Sequence, residues 1–168
     1  DSISWVLRTD TTQTLIIFTQ FGKAYTVRVD DITATTGYGD PIQSIFNFAD
    51  GERIVGVASS DARLHPETLL SQPQTDLPLN EAEVPLENES QVSGALLVAM
   101  SSAGRVTRVT LSSFHDVSTK NGRRYMSVGG QDYVVAAFAS DGTENVALAT
   151  RMGRGMLFAV GEIPPKSG

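Results

Sequence analysis

The sequence has no cysteine, which excludes disulfide staples and thiolate zinc or iron–sulfur centres. It has only two histidines, His65 and His115, too far apart to match the short ligand spacing of a metal site. Aromatic residues make up 7% of the chain and tryptophan occurs once. No apolar run approaches the length of a membrane span, and no basic-then-apolar leader opens the chain. No stretch carries apolar residues at helical spacing over several turns. No serine lies in a nucleophile elbow. Ser112, Ser113, His115 and Asp116 are adjacent in "SSFHD", but catalytic triads are assembled in space, so adjacency in sequence is not a signature of one. The "GYGDP" at 37–41 precedes no helix and so cannot cradle phosphate as a P-loop does. The chain opens at Asp1 rather than methionine, which leads us to expect a piece of a longer, cytoplasmic protein.

What the chain does have is a sentence written more than once. "QTLIIFTQFGKAYTVRVDDI" (13–32) superposes on "ALLVAMSSAGRVTRVTLSSF" (95–114) when Gly22 is laid on Gly104. A third copy, "VALATRMGRGMLFAVGEI" (146–163), brings Gly153 to the same place. A cation follows each glycine: Lys23, Arg105 and Arg154. Apolar residues recur at the fifth, seventh and tenth places after it. Such self-similarity marks a repeat architecture. Gly104 and Gly153 are 49 residues apart; Gly22 and Gly104 are 82 apart, and the excess of 33 is the length of 61–93. The repeat is therefore about 49 residues with one insertion.

Within a unit, an almost wholly apolar run predicts a strand covered on both faces. After the glycine turn, "AYTVRV" alternates with period two, as a second strand does. Two strands joined by a short glycine-containing turn form a hairpin. A Gly-rich crossing follows, "TTGYGDP" (35–41) or "TKNGRR" (119–124). A further strand pair is then expected, at 42–48 and 53–59 in the first unit and 125–128 and 133–139 in the second. Four short strands per unit and a period near 49 point to all-β, propeller-like blades. The expected division is 1–12 as the last strand of a preceding blade, 13–60 a blade unit, 61–93 an insertion, 94–142 a second unit, and 143–168 the start of a further one.

Net charge is −6, but it is unevenly distributed. Residues 61–93 hold seven acids and one base, and the part after 93 holds eight bases and five acids. The insertion also carries four prolines; it reads as a surface loop, with a short helix expected near 66–72. It reads either as a solvated spacer pointing away from the cationic surface or as a tethered competitor whose acids occupy that surface at low salt. The carboxylates elsewhere that lie close in sequence (Asp30, Asp31, Asp50 and Glu52) read as solvated turn residues. Cations recur near the hairpin tips: Lys23, Arg28, Arg105, Arg108, Arg151 and Arg154. Lys120, Arg123 and Arg124 cluster on the second crossing. Such residues keep blade edges soluble and unpaired; arranged along a rim, they would also contact phosphates without reading bases.

The units "TLIIFTQFGKAYTVRVDDI…GYGDPIQSIFNFADGERIVGV" and "ALLVAMSSAGRVTRVTLSSF…NGRRYMSVGGQDYVVAAF" resemble the blades of the C-terminal domain found in the A subunits of bacterial DNA gyrase and topoisomerase IV. The resemblance implies a β-pinwheel: blades of four antiparallel strands, with strands exchanged between neighbours, here a partial array. It implies duplex DNA as partner, bound through its backbone on a basic outer rim, together with the B subunit and the rest of the A subunit. It implies no cofactor or metal, and no catalysis by this piece, since the active-site tyrosine and the ATPase of those enzymes lie elsewhere. A bacterial cytoplasm, close to the nucleoid, is the implied location. The crossings "TATTGYG" and "STKNGRR" do not match the glutamine-, arginine- and glycine-rich heptapeptide of gyrase, which favours the topoisomerase IV type or a divergent paralogue. A scaffold that keeps the fold and has lost DNA affinity is the alternative.

Overall fold

The computed structural model describes residues 3–37, 39–61 and 95–165. The acidic insertion, including the helix expected near 66–72, lies outside the described residues apart from Asp61. That residue is buried, at 3% exposure, so by packing it belongs to the end of the first unit.

The first unit contributes β1 (Thr14–Thr19), β2 (Lys23–Arg28) and β3 (Ile54–Ser59). The second contributes β4 (Leu96–Ser101), β5 (Val106–Thr110), β6 (Arg123–Arg124) and β7 (Val134–Ser140). The third contributes β8 (Asn145–Ala149) and β9 (Gly155–Ala159). All named pairings are antiparallel. The first sheet runs β3-β1-β2-β6, so its fourth strand comes from the next unit. That is the strand exchange expected of a pinwheel. The second sheet runs β5-β4-β7 and the third is the hairpin β8-β9.

The three hairpin tips are built alike. Gly22, Gly104 and Gly153 have φ of 74°, 81° and 79°. Each donates its N–H to the carbonyl three residues earlier, Thr19, Ser101 and Thr150. A turn that ends in a left-handed residue matches the twist of the flanking strands, and glycine adopts that conformation without Cβ strain.

The central strands are covered on both faces, as their unbroken apolar runs predict. Ile16 and Phe18 point into one core with Leu97, Ala99, Phe114 and Tyr125. Ile17 points the other way, onto Tyr25, Val27 and Phe46. Likewise Leu97 and Ala99 of β4 face the first unit, while Leu96 and Val98 pack on Val146, Val160 and Ile163 of the third. Each boundary between units is thus a hydrophobic core, with burial worth about 25 cal/mol per Å² of apolar surface.

Four details differ from the sequence reading. The stretch 42–48 is no strand: Ile42–Ser44 is a 3-10 turn preceded by Pro41, and Phe46 N–H bonds to Ile42 O at 3.0 Å. Ile42, Ile45 and Phe46 have helical rather than alternating spacing, and all pack in the core around Tyr25. The stretch 125–128 is no strand either; the paired residues are Arg123 and Arg124. Tyr125 and Met126 both donate backbone N–H groups to Gly22 O, and both are buried, so the chain turns under the tip instead of alternating. The seventh-to-tenth places after each glycine continue no strand. They form 3-10 turns at Val29–Asp31, Leu111–Phe114 and Val160–Glu162. Three residues per turn bring the seventh and tenth places onto one side; in the second and third units Leu111, Phe114, Val160 and Ile163 are buried, whereas in the first Val29 is half-buried and Ile32 exposed. Finally, residues 3–9 form no strand; Ile3 and Val6 are exposed, and Thr9 reaches β3 through its hydroxyl, 2.8 Å from Ser59 Oγ.

Candidate nucleic-acid interface

The donated strand β6 is the centre of the candidate surface. Its register with β2 sets Lys23 opposite Arg124 and Ala24 opposite Arg123. Several contacts hold it there. Ser118 and Thr26 exchange bonds: Ser118 N–H donates to Thr26 O, and Thr26 N–H donates to Ser118 Oγ, both at 3.0 Å. Asn47 N–H donates to Lys120 O at 2.8 Å, and its side-chain amide donates to Asn121 Oδ1 at 3.1 Å. Gly122, with φ of 68°, lies so close to Tyr25 that a Cβ would be 2.9 Å from the ring. The crossing is therefore clamped onto the first unit from both its ends.

The "SSFHD" stretch has a structural part in this clamp. Ser113 O accepts from Arg123 Nη1 at 2.9 Å, Phe114 O from Thr26 Oγ1 at 2.7 Å, and His115 O from Thr14 Oγ1 at 2.9 Å. Three successive carbonyls at a turn thus find donors in three different elements, as backbone groups shielded from water require. This also explains why Thr26, a polar residue on an alternating strand, is 1% exposed.

The nine cations singled out in the sequence fall into two groups. Four are engaged within the protein, Arg123 among them through the Ser113 carbonyl. Arg105 donates from Nε to Asp132 Oδ2 at 3.1 Å and also from Nη2. Arg28 stands 3.8 Å from Asp30 on the exposed surface, a pair worth little in water. Arg108 is half-buried and donates to Val160 O at 3.3 Å. It holds the place in its repeat that Thr26 holds in the first unit, and both reach the 3-10 segment of the next unit. The other five have no carboxylate partner among the described residues. Lys23 is half-buried, its ammonium 6.0 Å from the Tyr25 ring centroid. Lys120, Arg124, Arg151 and Arg154 are exposed, as is Arg123. The structure brings Lys23, Lys120, Arg123 and Arg124 together at the β2–β6 edge and leaves Arg151 and Arg154 on the third hairpin.

Two carboxylates organise the tips. Glu52 is buried, at 8% exposure, rather than solvated as its turn position suggested. It accepts from Thr19 Oγ1, from Tyr25 OH at 3.3 Å and from Ala49 N–H at 2.8 Å. Burial, and then the Glu52 charge, push the Tyr25 phenol up to about 12. Asp132 holds the equivalent place two residues before β7. Its Oδ1 accepts from Ser102 Oγ and Ala103 N–H, both at 2.9 Å. The Arg105 guanidinium first, then these donors, hold its carboxyl well below the usual carboxylate range. The sequence signal for this pair was present: each is an acid two places ahead of its unit's last strand, in "GERI" and "QDYV".

Among the described residues no group of three or more His, Asp or Glu side chains could hold a metal ion, and no helix is long and apolar enough to cross a membrane.

Comparison with known proteins agrees with this geometry. The family described as DNA gyrase C-terminal domain, beta-propeller, matches residues 13–61 and 95–141, the two units without the insertion. The chain is 22% identical over 165 residues to the A subunit of DNA gyrase from Haloquadratum walsbyi (strain DSM 16790 / HBSQ001), covering 97% of this chain and 16% of that protein. Among solved structures, it resembles the C-terminal domain of DNA topoisomerase IV with a TM-score of 0.69 at 15% identity, over 93% of this chain and 40% of that one. The E. coli ParC C-terminal domain gives 0.68 at 13% identity, over 95% of this chain and 53% of that one. The chain thus spans about half or less of each relative's own length.

Proposed function

The chain belongs to the family of DNA gyrase C-terminal, β-propeller domains, and from that premise we propose that it is a non-catalytic, duplex-DNA-binding module of a type IIA topoisomerase A subunit. It contacts the DNA backbone on a cationic rim without reading sequence. By doing so it bends or presents the transfer segment and biases the holoenzyme between supercoiling and decatenation. Its partners are duplex DNA, the B subunit and the remainder of the A subunit, in the cytoplasm. The tyrosine that cleaves DNA and the ATPase belong to those other parts.

The observation that carries this reading is the pairing of Lys23 with Arg124. Like charges directly opposite on neighbouring strands repel, and here the strand carrying one of them is donated by another unit, so the arrangement needs two units to exist. A phosphate between them turns repulsion into two charge-assisted contacts. The clamp around Asn47, Thr26 and Gly122 sets the geometry of that pair in advance, which lowers the ordering cost of binding.

The test is duplex binding as a function of salt. The logarithm of affinity should fall linearly with the logarithm of salt, with slope about −0.9 per phosphate neutralised. Lys23→Ala and Arg124→Ala should each reduce that slope by about one, with little dependence on DNA sequence. A second reading, a protein-interaction scaffold, is favoured by the internal engagement of Arg28, Arg105 and Arg108. Absent or salt-independent DNA binding would decide for the scaffold.

A further inference from the structure

The units stack in the same orientation, so the described charges can be sorted by the two ends of the strands. At the first boundary, Val134 N–H donates to Gln20 O and Tyr125 OH to Thr19 O, both at 2.8 Å. The tip of the first unit thus lies beside the start of β7, which is itself next to the tip of the second. At the other end, Thr14 Oγ1 meets His115 O. The second and third units follow suit: Ser101, Ser102 and Gly104 line one cavity of about 610 Å³ with Ala149, Thr150 and Arg151, while Arg108 reaches Val160 toward the opposite end.

Sorted this way, the charges separate. The tip end carries Lys23 and Arg124 at the donated strand and Arg151 and Arg154 at the third tip, while Arg105 at the second is paired with Asp132. It also carries Arg53, which sequence reading did not single out. Arg53 lies beside the Glu52 turn, its carbonyl accepting from Gln20 N–H at 2.9 Å. Its side chain is exposed, has no carboxylate partner among the described residues, and lines an inter-unit groove with Phe21 and Tyr133. Of the acids of this end, Glu52 is buried and Asp132 is bound to Arg105, which leaves Asp50 exposed in the turn before Arg53. The opposite end carries Asp30, Asp31 and Glu162 in 3-10 turns, with Asp116, Asp141 and Glu144 beside them. Against these stand the exposed Arg8 and Arg28, with Arg108 and Arg123 held on the 3-10 carbonyls of Val160 and Ser113, four cations to six acids. A six-residue strand separates the two ends by roughly 20 Å, about two screening lengths at 0.1 M salt. The acids of one end therefore do not cancel the cations of the other.

We infer that duplex DNA lies across the hairpin-tip end of the units, with Arg53 as an additional phosphate contact, and that the 3-10-turn end faces away from it. This rests on the DNA-binding reading above and gives it a direction: the bound segment is displaced toward the tips instead of running centrally along the outer strands.

The test uses the absence of native cysteine. Single variants Ala103→Cys and Met152→Cys sit one residue before the tip glycines Gly104 and Gly153; Ser112→Cys and Gly161→Cys occupy matching places in the 3-10 turns. All four positions are exposed, so each can carry a thiol-linked photo-crosslinker and be irradiated with a short linear duplex of mixed sequence. Crosslinking from 103 and 152 and background levels from 112 and 161 is the expected result. Arg53→Ala should also reduce the salt slope by about one, while Arg8→Ala leaves it unchanged. Crosslinking that is equal at both ends, or stronger at 112 and 161, overturns the placement while leaving DNA binding intact. An Arg53→Ala slope equal to that of the unsubstituted chain overturns the additional contact. If the unsubstituted chain shows no salt-dependent duplex binding, the DNA reading falls and the inference with it.

Discussion

Two glycines at the same place in the repeat should respond very differently to the same substitution. Gly22 and Gly104 both have left-handed backbones, φ 74° and 81°. An alanine at either position bears the left-handed penalty, about 1–2 kcal/mol. At Gly104 nothing lies within 4 Å of the added methyl, so the cost ends there. At Gly22 the methyl would lie 2.0 Å from Met126 O and 2.9 Å from its carbonyl carbon. Backbone cannot rotate away as a side chain can, so the segment after β6 must move. That movement threatens the bonds from Tyr125 and Met126 N–H to Gly22 O, each worth about 1 kcal/mol, and overpacking adds about 1–3 kcal/mol. Gly22→Ala should therefore cost about 3 kcal/mol more than Gly104→Ala, a large share of a typical total of about 5–15 kcal/mol. With a urea slope of about 2 kcal/mol/M, the two midpoints should separate by about 1.5 M. Circular dichroism is the suitable probe, because the single tryptophan, Trp5, is 44% exposed on a segment outside the sheets. Coincident midpoints would refute the claim that the donated segment is packed against the first tip.

The other predictions concern charge. Asp132→Asn should release Arg105 and make the salt slope of duplex binding steeper by about one, measured on the intact chain. In the unsubstituted protein the depressed Asp132 carboxyl stabilises the β4–β5 tip above its unfolded value of about 4 and ceases to as pH falls through the lower folded value; hydrogen exchange at Ala103 should reveal that acid loosening, and Asp132→Asn should abolish it. At the alkaline limit the sign reverses in pH. Tyr25, pushed up to about 12 by burial and by Glu52, keeps its proton after the unfolded chain has lost it. Stability should therefore fall from about pH 10 upward, and thermal melts showing no decline between pH 10 and 12 would contradict that packing. Replacing residues 62–93 with a short Gly-Ser turn should leave the fold intact and raise duplex affinity at low salt, the gain vanishing as salt rises; affinity unchanged at low salt would make the insertion a spacer.

The repeat, its hairpins and its tip glycines were legible because each rests on local physics. A left-handed turn demands glycine, and a strand covered on both faces demands an unbroken apolar run. The fourth strand expected in each unit is present as β3 and β7; the third was misread because an apolar stretch such as "IQSIFNF" is compatible with a strand until its partners are known. Tyr25 decides the matter: its ring lies 5.1 Å from Phe46 and 4.7 Å from Phe48. A 3-10 turn beginning at Ile42 also brings the adjacent Ile45 and Phe46 into that one core, from positions that alternation would send to opposite faces.

The cations were legible as a list but not as a surface, since a sequence does not say which of them are already engaged. Arg105 and Arg124 look equivalent when read along the chain; in the fold one is bound to Asp132 and the other faces Lys23. Strand exchange produces that difference. Had "GRRY" stayed in its own sheet, Arg124 would not oppose Lys23, and the first unit, whose own crossing at 33–41 has no cation, would have Lys23 alone at its outer edge. The donated strand gives the first unit two further arginines while burying Tyr125 and Met126 beneath its tip. Closing the hydrophobic boundary between units and pairing cations from both are thus one event, and disturbing the packing at Gly22 should weaken DNA contact at Arg124 without touching a charged residue.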